Sequence, residues 1–145
     1  MMRILALDLG TKRVGVAISD ELGLTAQGLT VLNRRPHDQF LKNLAGLVQE
    51  YQVTSLVLGL PRRMDGSLGP EAQRVLSMAD QLTTLLELEV LTWDERLSSV
   101  AAERVLLEAD TSRRKRKQVI DKVAATYILQ NYLDYLRNSP PEPDQ

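Results

Sequence analysis

The sequence predicts an α/β domain built on a mixed sheet, on three observations. Apolar runs of strand length joined by hairpin-type turns come first. Later strand-like runs alternate with stretches of helical periodicity. The composition, 43% hydrophobic and 26% charged over 145 residues, is that of a globular chain with one core of ordinary size.

The elements follow in order. Ile4-Leu5-Ala6-Leu7 is a nearly continuous apolar run, which predicts a strand over Arg3–Leu9 buried on both faces. Gly10-Thr11-Lys12-Arg13 is a turn, and Val14–Ser19 is the return strand. Leu24–Leu32 predicts a third strand, interrupted by Gly28. Pro36 opens a helix at the position proline tolerates best, with Phe40, Leu41, Leu44, Leu47, Val48 and Tyr51 on its apolar side. Ser55–Leu58 predicts a short buried strand, ended by Gly59-Leu60-Pro61. A polar loop spans Arg62–Gly69, with a turn at Asp65-Gly66. Pro70-Glu71 starts a second helix, whose acidic first turn suits the helix dipole. Glu89–Trp93 predicts the fifth strand and Leu97–Ala109 a third helix. Asp110–Lys117 reads as a basic connection, Val119–Leu136 as a fourth helix, and residues 138–145 as a disordered tail. The first strands pair as hairpins; the later ones, separated by helices, are expected to be parallel.

Composition excludes several chemistries. Without cysteine there is no disulfide framework, thiolate metal site or cysteine nucleophile. The single histidine, His37, excludes a site of several imidazoles from one chain. No apolar run reaches membrane-span length, and Asp8 comes too early for a secretory signal, so a cytoplasmic protein without membrane contact is expected. Aromatics, at 4%, are too few for a base-stacking platform.

Three acids stand out by position. Asp8 interrupts the apolar first strand just before its turn. Glu95 follows the fifth strand, and Asp121 lies one turn into the last helix, beside its apolar stripe. Unpaired charge at such places is costly, and a shared cation offsets it. Oxygen ligands without histidine or cysteine favour Mg²⁺ or Mn²⁺ over zinc. Each acid also has an ordinary reading: a turn former, a salt-bridge partner of Arg96, and a helix-start acid. Asp94 competes with Glu95, because neighbours on an extended segment face opposite ways. Arg113-Arg114-Lys115-Arg116-Lys117 carries +5 against a chain total of -1, which leaves -6 elsewhere. Such a local cluster suits phosphate contact, or else a solvated face. Arg62 and Arg63 offer a second contact, and Lys12 and Arg13 a third.

Leu7-Asp8-Leu9-Gly10-Thr11-Lys12-Arg13-Val14-Gly15-Val16-Ala17 resembles the opening of the YqgF (RuvX) family of RNase H-like nucleases. Gly59-Leu60-Pro61 with Met64-Asp65-Gly66-Ser67, Trp93-Asp94-Glu95-Arg96-Leu97-Ser98-Ser99, and Ile120-Asp121-Lys122-Val123-Ala124-Ala125 resemble its later motifs. The resemblance runs in order from residue 3 to about residue 135. It implies an RNase H-like five-stranded mixed sheet with helices on both faces, in a single nuclease domain over residues 1–137. It also implies Asp8, Glu95 and Asp121 as catalytic, metal-binding acids, with two Mg²⁺ or Mn²⁺ ions once substrate is bound. The expected activity is phosphodiester hydrolysis, in maturing the 5′ end of 16S ribosomal RNA ahead of resolving branched DNA. A monomer or weak homodimer is expected: resolving a junction symmetrically favours a two-fold dimer, whereas trimming an RNA end does not require one. Ser99 stands where many members have threonine. Related resolvases carry a further aspartate one turn from the last acid, where this chain has Ala124 and, on the other side, Gln118. Asp8-Leu9-Gly10-Thr11 also looks like the first phosphate loop of actin-like ATPases and sugar kinases, and a non-catalytic nucleic-acid-binding module is a third reading. The first lacks a second glycine-rich phosphate loop. The second gains nothing from converging acids.

Overall fold

Strands β1 (Ile4–Leu9), β2 (Arg13–Ser19) and β3 (Ala26–Asn33) form an antiparallel meander. Helix α1 (His37–Glu50) then leads to β4 (Ser55–Leu60), α2 (Pro70–Leu86), β5 (Glu89–Asp94) and α3 (Arg113–Asn138). The computed structural model describes residues 3–95 and 113–138. The strand order is β3-β2-β1-β4-β5, with β4 parallel to both β1 and β5. The sheet is therefore mixed, as expected.

Strand alternation divides the core in two. Leu5, Leu7, Leu56 and Leu58 project to one face, where Phe40 and Leu44 of α1 and Val75, Met78 and Leu82 of α2 cover them. Ile4, Ala6, Ala17 and Val57 project to the other, beneath Ala124, Ala125, Ile128, Leu129 and Leu133 of α3. Burying each leucine fully stabilises the fold by about 1.5–3 kcal/mol before entropy is counted. Small side chains dominate the second face, so α3 lies close to the sheet.

Several boundaries differ from expectation. β4 continues through Gly59 and Leu60, which pair with Trp93 and Asp94. Gly59 is thus a position of close approach within a strand, not its end. β3 begins at Ala26 because Asp20–Thr25 closes the turn: the Asp20 carboxylate accepts the backbone N–H groups of Leu24 and Thr25. Pro36 is the extended residue before α1, not its first helical residue. α3 starts at Arg113, so the cationic run belongs to a helix rather than a connection. Arginine and lysine are good helix formers, and no glycine or proline interrupts them. The helix expected over Leu97–Ala109 lies outside the described residues. So does the expected tail, apart from Asn138, which ends α3. Among the described residues, no helix is long and apolar enough to cross a membrane.

Candidate active site

Asp8 sits on the α3 face near the C-terminal end of β1, buried to 8% exposure. Its antiparallel partner on β2 is Gly15. On its other side Leu7 pairs with Leu58, so the next step along β1 and β4 brings Asp8 beside Gly59. Strands stand about 4.8 Å apart, and the aspartate therefore has a glycine one spacing away on either hand. The other two acids come in over those glycines. A Cβ on Gly15 would lie 1.9 Å from the Asp121 carbonyl oxygen, so the α3 backbone rests directly on β2 there. A Cβ on Gly59 would lie 2.7 Å from Glu95 Oε1 and 2.6 Å from Ile128 Cδ1. Glycine–aspartate–glycine across three strands thus leaves room for two carboxyl-bearing residues to approach Asp8.

The backbone alternation separates Glu95 from its neighbour. Glu95 reaches the α3 face over Gly59, whereas Asp94 faces Arg62, with Oδ2 3.7 Å from Nε. Asp121 is held by Arg13, whose Nε donates to Oδ2 at 3.0 Å in a partly buried ion pair. Trp93, next to Asp94 on β5, packs its ring on Tyr132 and Tyr135 of α3.

The other expected contacts scatter along the rim formed by the strand ends. Arg13 is partly buried against Asp121. Lys12 is exposed and lines a shallow concavity with Thr11, Asn33 and Arg35. Arg62 and Arg63 lie on the α2 side with Arg74. The Asp65-Gly66 turn is present, with Asp65 Oδ1 accepting from the Ser67 N–H and hydroxyl and Gly66 at φ 89°. His37 is exposed at the start of α1, its Nε2 3.0 Å from Gln81 Nε2. The backbone of Arg113, Arg114, Lys115, Arg116 and Lys117 forms the first turns of α3, four residues and more before Asp121. Sequence reasoning missed Gly15 and Gly59 as spacers, and it missed Arg34 and Arg74. Strand register would have found the first pair. The second pair needed the placement of α2 against the end of β1.

The donor set fits a hard divalent cation by chemistry, being carboxylates on one face around a buried strand aspartate. It is not a closed cage: among the described residues no three potential ligands stand close enough to hold an ion as they are placed. Arg13 supplies the positive charge opposite Asp121 instead.

Similarity to known proteins covers most of the chain. The model of a family described as "RuvX: Holliday junction resolvase" matches residues 2–135. A Halothermothrix orenii protein named "Putative pre-16S rRNA nuclease" is 54% identical over 134 residues, spanning 92% of this chain and 96% of that one. One of the same name from Clostridium botulinum strain Hall is 51% identical over 135 residues, 93% of this chain and 98% of its own. Among solved structures, T. thermophilus RuvC in complex with Holliday junction substrate matches at TM-score 0.53 and 10% identity, covering 98% of this chain and 100% of that one. The Fowlpox virus resolvase with Holliday junction DNA matches at TM-score 0.56 and 13% identity, covering 93% and 99%. At such identities the likeness is one of fold, and it bears out the RNase H-like architecture expected.

Proposed function

The chain belongs to the RuvX family and is a nuclease, and from that premise we propose that it hydrolyses precursor 16S ribosomal RNA near the 5′ end with a divalent cation. One observation supports the site above all: the Gly15–Asp8–Gly59 row, with Asp121 and Glu95 brought in over its two glycines. Asp8, Glu95 and Asp121 would hold Mg²⁺ or Mn²⁺. When bound, two such ions supply an activated water and charge stabilisation of the leaving oxygen.

The chain's own residues do the rest. Asp8 is fixed by a buried strand, so its carboxylate keeps one position while the other two acids close on it. Arg13 holds Asp121 in place through its Nε, and its remaining guanidinium N–H groups are available to a phosphate oxygen. Lys12, Arg62, Arg63 and the run Arg113–Lys117 position the strand without reading bases. No side-chain nucleophile is required.

The test is cleavage of matched substrates, namely linear RNA, single-stranded DNA, duplexes and four-way DNA junctions, with Mg²⁺ or Mn²⁺. Cleavage of precursor RNA near the mature end is expected. Preferential cutting of the junction would support the second reading, branched-DNA resolution, which the family's description favours. Asp8→Asn is expected to abolish cleavage with the fold intact, and undiminished cleavage would sink the site. Glu95→Gln is expected to match it, and Asp94→Asn to hurt less, since Asp94 faces Arg62.

A further inference from the structure

Two concavities on the α2 side of the strand ends share Pro61, Glu71 and Arg74. One also takes in Gly10 and Arg34, and the other Arg63 and Gly69. Together they make one groove that begins at Leu9, one residue past Asp8, and runs to the start of α2. Four arginines line it, Arg34, Arg62, Arg63 and Arg74, of which Arg62 already faces Asp94, against a single lining acid, Glu71, and no aromatic ring. Resting on the nuclease reading, we propose that Arg34, Arg74 and Arg63 bind the phosphodiester backbone of an unpaired nucleic-acid strand leading away from the acidic row.

Each arginine is placed for this. Arg34 Nη1 donates to the Gly10 carbonyl at 2.7 Å, which fixes the guanidinium beside the β1–β2 turn. That bond uses one of its five N–H groups, and the others remain for an anion. Arg74 is exposed on α2 and has no ion-pair partner among the described residues. The Arg63 guanidinium lies over Gly69, with Nε 3.1 Å from where a Cβ would sit, so glycine there lets it pack close against the backbone. With no ring to stack on, bases are not read; the lining offers charge and hydrogen bonds, which phosphates accept.

Geometry selects a single strand. The groove lies on the α1 and α2 side of the sheet, and the acids on the α3 side, with Gly10 and Pro61 on the rim between. A strand occupying both must turn over that rim within a few nucleotides. A duplex, whose persistence length is about 150 base pairs, resists such a turn. An unpaired strand does not.

The experiment uses the full chain carrying Asp8→Asn and fluorescent single-stranded RNAs of about 4–16 nucleotides, with a duplex as comparison. Binding is read by anisotropy at several salt concentrations in Ca²⁺. Affinity is expected to rise with length, and Arg34→Gln with Arg74→Gln to flatten that rise. The pair is also expected to make the slope of log K against log salt shallower by about 1.4 units. Arg74→Gln alone, at an exposed and unpaired position, is expected to keep the melting temperature and to lower the slope by about 0.7. An unchanged slope and length dependence in folded variants would overturn the groove. An equal loss with duplex would overturn its restriction to a single strand. Neither result depends on cleavage, so failure of the nuclease reading shows separately, as absence of Asp8-dependent cutting by the unsubstituted chain.

Discussion

Gly15 and Gly59 are the same residue type with different neighbours, and that difference predicts different failures. At Gly15 an added Cβ meets backbone, the Asp121 carbonyl, which cannot turn aside. Gly15→Ala is expected to cost about 1–3 kcal/mol in chemical denaturation, the range of overpacking, and to lose cleavage as α3 shifts. At Gly59 it meets two side-chain ends, Glu95 Oε1 and Ile128 Cδ1, which can move. Gly59→Ala is expected to cost less stability and still lose cleavage, because the displaced group is the Glu95 carboxylate. Arg13 gives a third test. As a competitor for Asp121, its replacement by glutamine is expected to tighten Mn²⁺ binding by up to about fivefold by calorimetry, on the scale of one partly exposed ion pair. At this scale the sequence was legible in its acids, since a carboxylate at the end of an apolar run is conspicuous. It was not legible in Arg13, whose partner is 108 positions away. Alternation alone said that Asp94 and Glu95 face opposite ways, but only the neighbour Gly59 says which faces α3.

Elements were read well where periodicity was strong and poorly where one residue type serves two purposes. All five strands and the helices α1 and α2 stand close to where apolar spacing put them. Gly59 was read as punctuation because glycine usually ends a strand; here it clears space above one. The run Arg113–Lys117 was read as a connection because it is polar, yet polarity does not oppose a helix and backbone propensity favours it. Replacing those five cations by uncharged residues is expected to make the salt slope shallower by about two units if two or three touch phosphate. An unchanged slope in the Asp8→Asn background would leave the run as a solvated helix start. The β2–β3 turn carries a pH prediction. Backbone hydrogen bonds, chiefly from Leu24, hold the Asp20 carboxyl below its ordinary value of 3.8. Its contribution is therefore present above that value and fades as pH falls through the lowered one. Asp20→Ala is expected to be less stable than the parent at neutral pH, with the gap narrowing in acid, as measured by urea denaturation at each pH.

Over the whole molecule, one sheet separates two cores and presents its strand ends as a rim, with Asp8 and Asp121 on one side and Arg34 and Arg74 on the other. Cation binding at the acids is linked to global stability because an unfolded chain cannot assemble them. At a free Mn²⁺ concentration about 100 times Kd the native state gains about 2.7 kcal/mol. For a chain of this size that raises the melting temperature by roughly 5–10 °C. Asp8→Asn is expected to show no such rise, while melting no lower than the parent without the ion, since one clustered negative charge is gone. Scanning calorimetry with and without the ion checks both. The Arg13–Asp121 pair bears on supply as well as chemistry. A protein whose acids relied wholly on a metal for neutrality would be lost to proteases when that metal ran short. Here Arg13 gives Asp121 a counter-charge from within the chain, so scarcity would leave an intact population waiting, and recovery would need an ion to arrive, not a new polypeptide to be made.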